Sequence, residues 1–194
     1  KRIQCGEGGA LLVNDPALVE RARTLREKGT HRQAFLAGQI EHYSWVDLGS
    51  SGLLAEVLAA ALVTQLDAAD AIWERRRWIW NTYQTRLAAW AHRTGTRLPT
   101  PLHRAQPAAH LYHVVMKDPA ARAGFLDHLS AAGIGATFHY VPLHSSPQGR
   151  RVGRSGPLPV TDAVAARLAR LPLYPDLTDQ EVDRIVDAVT TFRP

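Results

Sequence analysis

From Leu54 to about Arg93 the chain runs through forty residues without a proline. Apolar side chains recur there at steps of three or four, at Leu58, Leu62, Leu66, Ala69, Ile72, Trp73, Ile79, Tyr83 and Leu87. That spacing lays one apolar stripe along an α-helix. A straight helix of this length would reach about 60 Å, more than the diameter of a small domain. The helix is therefore expected to bend or break near Asp67 to Ala71, and to cross between lobes or enter a subunit interface. It divides the sequence into residues 1–53 before the helix, the helix itself over 54–94, and residues 95–194 after it.

Ahead of the helix, Lys1-Arg-Ile-Gln-Cys-Gly-Glu-Gly-Gly9 runs into the apolar segment Ala10 to Val13. A short apolar run bounded by glycines and by Asn14, Asp15 and Pro16 predicts a buried strand. Asp15 and Pro16 then predict a helix start, and Leu18, Ala22 and Leu25 share one face until Gly29 stops it. This makes an α/β unit. Thr30 to Ser51 has no strong periodicity, although Tyr43, Trp45 and Val46 argue for order. The turn Gly49-Ser-Ser-Gly52 offers amides and two hydroxyls just ahead of the long helix. Such a turn can hold a phosphate or simply cap the helix.

After Gly95, the prolines at 99, 101 and 107 read as a linker into a smaller α+β lobe. Strands are expected over Leu111 to Met116 and Ile134 to Val141, with a helix from Ala121 to Ala132 ended by Gly133. Pro147 to Pro159 reads as a flexible loop. A short helix from Thr161 to Leu168 and an extended piece from Leu171 to Tyr174 follow. Thr178 with Glu181 forms a capping box for a last helix that docks through Val182, Ile185, Val186 and Val189.

The net charge of +5 is carried mostly by arginine, since lysine occurs only at Lys1, Lys28 and Lys117. Trp73-Glu-Arg-Arg-Arg-Trp-Ile-Trp80 mixes aromatics with cations, but helical spacing puts Trp73 and Trp80 on one face and lets the Arg77 stem cover a ring. Packing is therefore favoured over nucleic-acid binding. The lone Cys5 excludes an internal disulfide and fits a reducing compartment. The histidines His110, His113, His139 and His144 match no metal-ligand spacing, so no metal is expected. With no apolar run long enough to span a bilayer and no visible signal peptide, a cytoplasmic protein is expected.

Several segments, in order, resemble the DegT/DnrJ/StrS family of sugar aminotransferases. They are Lys1 to Asp15, Arg26-Glu-Lys-Gly-Thr30, Tyr43-Ser-Trp-Val-Asp-Leu-Gly-Ser-Ser51, Phe138-His-Tyr-Val-Pro-Leu-His144 and Leu171-Pro-Leu-Tyr-Pro-Asp-Leu-Thr178. The resemblance covers essentially this whole chain and about the second half of the family's usual length, so a fragment is expected. The fold implied is α/β, the C-terminal portion of a type I pyridoxal-phosphate-dependent transferase. It comprises the end of the large cofactor-binding domain (1–53), the long interdomain helix (54–94) and a small C-terminal α+β domain (95–194).

The resemblance also implies chemistry. Lys1 would bear pyridoxal 5′-phosphate and then move protons as general base and acid, a role that requires an amine releasing its proton well below the usual value of about 10.4. Ser51 lies in the segment that reaches toward a partner's cofactor phosphate, and Tyr140 and His144 lie in a motif near the sugar. The implied reaction is amination of a dTDP-4-keto-6-deoxyhexose, with glutamate as donor, for surface-polysaccharide supply. A homodimer is implied, with neither nucleic-acid nor membrane partners. The alternative is a non-catalytic remnant that dimerises or binds a partner through apolar surface.

Overall fold

The structure is a computed structural model that describes residues 3–100 and 107–193. The chain forms two compact units, Ile3–Ala69 and Asp70–Pro194.

In the first unit, helix α1 spans Pro16–Arg26. The Asp15 carboxylate accepts from the Ala17 amide at 2.9 Å and Pro16 occupies the first turn, as the sequence predicts. The helix ends at Arg26, three residues before Gly29, whose φ of +76° turns the chain. Helix α2 (Arg32–Leu36) is a short element inside the segment without periodicity, and α3 spans Glu56–Asp67.

The strand expected at Ala10 to Val13 does not form, and Leu11 and Leu12 are 79% and 80% exposed. A strand needs a neighbour to satisfy its backbone, and no pairing is made to this segment within the unit. These residues instead line an open apolar groove of 580 Å³ with Leu18, Ala22 and Leu25 of α1. Among the described residues of this unit no hydrophobic side chain is buried.

The long helix is interrupted twice. Helix α4 (Ala69–Arg86) follows the break at Ala68, inside the predicted interval, and α5 (Ala88–Thr94) follows Leu87. The second irregularity is slight, because the amides of Leu87 and Ala91 still donate to Tyr83 and Leu87 carbonyls at 3.0 and 2.8 Å. Gly95, with φ +66°, closes α5.

Strand β1 (Tyr112–Val115), helix α6 (Pro119–Ala131) and strand β2 (Thr137–Phe138) come next, then a single 3-10 turn at Leu143–Ser145. Helices α7 (Pro147–Val152) and α8 (Pro159–Ala165), strand β3 (Leu168–Leu171) and helix α9 (Asp179–Thr191) complete the second unit. Four expectations are corrected here. Within the expected loop from Pro147 to Pro159, residues Pro147–Val152 are helical, because the Ser146 hydroxyl accepts from the Gly149 amide at 3.0 Å and Pro147 suits the first turn. The helix expected from Thr161 to Leu168 starts at Pro159 and stops at Ala165, which frees Leu168–Leu171 to be a strand in place of the piece at Leu171 to Tyr174. Of Ile134 to Val141 only two residues pair. The expected linker falls partly at 101–106, outside the described residues.

The sheet has the order β1-β3-β2 with both pairings antiparallel. Tyr112, Val114, Ala169 and Leu171 point into the core, where Ile79, Tyr83 and Leu87 from the helical stripe meet Phe125 and Leu129 of α6. The α9 face of Val182, Ile185, Val186 and Val189 docks as the sequence predicts, behind the Thr178–Glu181 capping box. Aromatic edges tie the layers: Tyr83 and Tyr112 ring centroids lie 5.2 Å apart, and Phe125 and Phe192 5.3 Å apart. Each such buried side chain contributes roughly 1.5–3 kcal/mol relative to exposure. Arg77 lies 4.4 Å over the Trp73 ring, as the helical spacing suggested, and Arg75 lies 4.4 Å over Trp78 while pairing with Asp179 at 2.8 Å.

Candidate functional site

Lys1 lies outside the described residues. The segment that follows it turns at Gly6, with φ +85°, and passes the start of α3: a Cβ at Gly8 would stand 3.3 Å from Leu54 Cδ1. The glycines thus let the backbone of this segment approach α3 closely.

Ser51 is held by a backbone ribbon. Residues 25–30 and 45–52 run antiparallel, with Glu27 opposite Ser51 and Thr30 opposite Trp45. The amides of Ser50 and Gly52 donate to the carbonyls of Leu25 and Arg26 at 2.8 and 3.0 Å. Two glycines make this crossing possible. A Cβ on Gly49 would sit 1.8 Å from the Gly29 nitrogen, and one on Gly29 would sit 1.9 Å from the Asp47 oxygen. Under the crossing, the buried Glu27 carboxylate accepts from Gln33 Nε2 at 2.8 Å.

This geometry corrects the reading of the Gly49 to Gly52 turn as the cap of the long helix. Helix α3 begins at Glu56 with Ala55 at its N-cap, so Ser51 is not its cap. The amides of Ser50 and Gly52 are spent on the ribbon, and the exposed Ser51 side chain stands on a backbone fixed by it.

Tyr140 and His144 belong to the second unit, and there the structure brings their surroundings together. Tyr140 follows β2 and is 57% exposed. With Phe138, Val141, Pro142, Arg122, Asp162, Ala165 and Ala166 it lines a cavity of 390 Å³. His144 sits in the 3-10 turn and its Nε2 lies 2.9 Å from Asp162 Oδ1, so a carboxylate on the cavity wall fixes the imidazole. Arg122 Nη1 donates to the Ala165 carbonyl at 3.3 Å, and its guanidinium lies 6.0 Å from the Phe138 ring centroid.

Arg122 and Asp162 escaped the sequence reading. Asp162 is eighteen residues beyond His144, in a helix placed after a supposed loop, and no local spacing links the two. Arg122 reads as an ordinary charge in the first turns of α6. The usable signal would have been the Ser146-Pro147 helix start, which shortens the excursion and returns α8 toward the 3-10 turn.

Over residues 1–190 the chain matches the DegT/DnrJ/EryC1/StrS aminotransferase family, and it belongs to that family. Its members are pyridoxal-phosphate-dependent sugar aminotransferases. Among solved structures the chain is similar to DesV from S. venezuelae, determined in complex with a ketimine intermediate. Identity is 30% and the TM-score 0.78, over 92% of this chain and 45% of that one. It is similar to the aminotransferase TlmJ from Streptoalloteichus hindustanus at 29% identity and TM-score 0.76, covering 91% of this chain and 45% of that one. AtS13 from Actinomadura melliaura shares the fold, with 24% identity and a TM-score of 0.85 over 99% of this chain and 49% of that one. The chain therefore spans about half the length of these relatives. The expected α/β fold of this transferase class is what these structures share with it.

Proposed function

We propose that this chain carries the lysine-bearing half of a pyridoxal-phosphate-dependent sugar aminotransferase. The particular reaction would be that of a dTDP-4-amino-4,6-dideoxygalactose transaminase, converting the 4-keto group of a dTDP-6-deoxyhexose to an amine with glutamate as donor. The observation that carries this reading is the match to the family over residues 1–190, beginning at the Lys1 segment.

The donor set fits the cofactor. Lys1 supplies the primary amine that an aldehyde-bearing cofactor requires, and Ser51 supplies a side-chain hydroxyl, from a fixed backbone, to the phosphate of the partner's cofactor. When bound, pyridoxal phosphate supplies an electron sink for charge developing at the donor's Cα. The protein's own part is to hold and move a proton. Lys1 Nζ takes it from the donor Cα and returns it on the far side of the exchange, and water must be kept from that amine for the transfer to be efficient. Tyr140 and His144 orient the sugar, His144 being held by Asp162 at 2.9 Å. A homodimer completes the site, with Ser51 serving the partner's cofactor.

A second reading has its own support. Leu11, Leu12 and Leu48 are 79%, 80% and 84% exposed, as in a module whose apolar surface serves a partner without catalysis. One experiment separates the two. The purified chain is mixed with pyridoxal phosphate, reduced with borohydride and mapped by mass spectrometry, then assayed with a dTDP-4-keto sugar and glutamate. An adduct on Lys1 with amino-sugar formation is expected. A stable dimer with neither adduct nor turnover would establish the second reading and overturn the first.

A further inference from the structure

The C-terminal ends of two helices meet in the second unit. Trp90 of α5 donates from its indole Nε1 to the carbonyl of Phe192, just past α9, at 3.0 Å, and its ring stacks on Phe125 with centroids 5.8 Å apart. This clamp fixes the backbone from which Arg93 leaves the last turn of α5 and Arg193 follows α9. A third cation, Lys117, stands between β1 and α6. Its carbonyl accepts from Arg167 Nη1 at 3.5 Å, and the amide of Met116 before it donates to the Arg167 carbonyl at 3.0 Å. Asp118 after it is held as the α6 cap. All three cations therefore rise from fixed backbone, although they are far apart in sequence.

The fold gathers them around one cavity of 440 Å³, with the buried Trp90 and Phe192 as its apolar wall. No carboxylate is among the lining residues. Elsewhere in this unit Arg75 pairs with Asp179, Arg86 pairs with Asp183, and Arg184 donates to the Ala132 carbonyl. Among the described residues, the side chains of Arg93, Lys117 and Arg193 make no ion pair and no hydrogen bond. The threonines of the lining leave the charge untouched, because Thr94 Oγ1 donates to the Trp90 carbonyl and Thr190 Oγ1 to the Asp187 carbonyl, each at 3.0 Å.

Helix C-termini favour cations, and that is the plain account of such charges. It falls short in amount. Each helix end carries about half a negative charge, so two ends offset about one of the three positive charges. None of the three side chains donates to a helix carbonyl.

We propose that Arg93, Lys117 and Arg193 form a binding site for a small polyanion, a molecule carrying two or more carboxylate or phosphate groups. Each guanidinium fork matches two oxygens of one such group, and the Lys117 ammonium serves as a point charge for another. The cavity falls in the range of about 300–1,000 Å³ usual for small-molecule sites. The Trp90 N–H is already engaged, so the aromatic wall offers only apolar contact, suited to a frame between anionic groups. A monoanion answers one cation and leaves the others unmet, so the site selects for valence. It shares no residue with Lys1, Ser51, Tyr140 or His144, so its test is independent of the proposed transamination.

The test titrates the isotopically labelled chain with citrate and with pyrophosphate, and with acetate as the monoanion, read by calorimetry and by the amide resonances of Gly95, Lys117 and Arg193. Saturable binding of at least one polyanion that moves these resonances is expected, at least about tenfold tighter than acetate. Arg93→Gln and Arg193→Gln are each expected to weaken it about tenfold. Neither side chain bonds to the fold, so circular dichroism should be unchanged; if Arg193→Gln fails to fold, Lys117→Gln carries the same expectation. Arg150→Gln removes an equal charge outside the cavity and is expected to leave affinity within about twofold. No saturation, a response equal to that of acetate, unmoved Gly95 and Arg193 resonances, or an equal loss in Arg150→Gln would overturn the site. Citrate binding about tenfold tighter than pyrophosphate supports a polycarboxylate occupant and the reverse a polyphosphate, while similar affinities support recognition of charge number alone.

Discussion

At the residue scale, two kinds of position carry the architecture. Gly49 and Gly29 are sites where backbone crosses backbone, and a methyl group at Gly49 would lie 1.8 Å from the Gly29 nitrogen. Gly49→Ala is expected to part the ribbon that holds Ser51, seen as at least about tenfold faster amide exchange at Ser50 and Gly52. Tyr83 and Tyr112 are the second kind. Tyr83 donates to the Pro172 carbonyl at 2.9 Å and Tyr112 to Gln84 Oε1 at 3.0 Å. Burial, then the neighbouring phenol, Tyr174 for Tyr83 and Tyr83 for Tyr112, holds each protonated well beyond the ordinary tyrosine range. The folded state therefore favours the neutral ring. The stability this confers is whole below about pH 10 and drains away as pH climbs toward the folded-state value. Tyrosinate absorbance should show these two rings ionising only with alkaline unfolding. Tyr83→Phe should move that unfolding to higher pH while costing about 1–3 kcal/mol at neutral pH, where the Pro172 carbonyl loses its donor.

At the scale of elements, packing outweighs capping. Asp118 caps α6 by accepting from the Ala121 amide at 2.7 Å, and Asp118→Ala is expected to cost about 1 kcal/mol. Ile185→Ala on the buried face of α9 should cost about 2–5 kcal/mol. Urea midpoints with an unchanged slope would measure both, and an equal cost would refute the ranking. The same contrast explains what was legible in the sequence. Elements with a cap and a periodic face in the sequence, α1 and α9, are placed with their starts right or nearly so, because both signals are local, whereas α6, expected from Ala121, starts at Pro119 behind the Asp118 cap. Strand β3 was misplaced by three residues because its position depends on where α8 stops and on partners in β1 and β2. The apolar run at Ala10 to Val13 has strand composition and no strand partner, so composition misled. Of the site, the motif around Tyr140 and His144 was visible as a resemblance. Arg122 and Asp162 were not, since the return of the chain brings them there.

Across the whole molecule, the two units differ in how they are held. The second has a continuous core from Ile79 to Phe192, whereas the described residues of the first bury no hydrophobic side chain. Limited proteolysis is expected to remove the first unit and leave a resistant fragment beginning near Asp70. Equal resistance of both units would contradict this. The tryptophans follow the same division. Trp73, Trp78, Trp80 and Trp90 lie in the second unit, and Trp45, 77% exposed, is the only one in the first. Intrinsic fluorescence is thus a lopsided witness. Its blue component, from Trp80 and Trp90 at 8% and 1% exposure, follows the second unit alone, while Trp45 already emits as in water and changes little when its surroundings loosen. A single clean melting curve from this signal would describe one unit and pass over the other. Replacing Leu12, in the open groove beside α1, with a tryptophan would give the first unit an optical voice of its own.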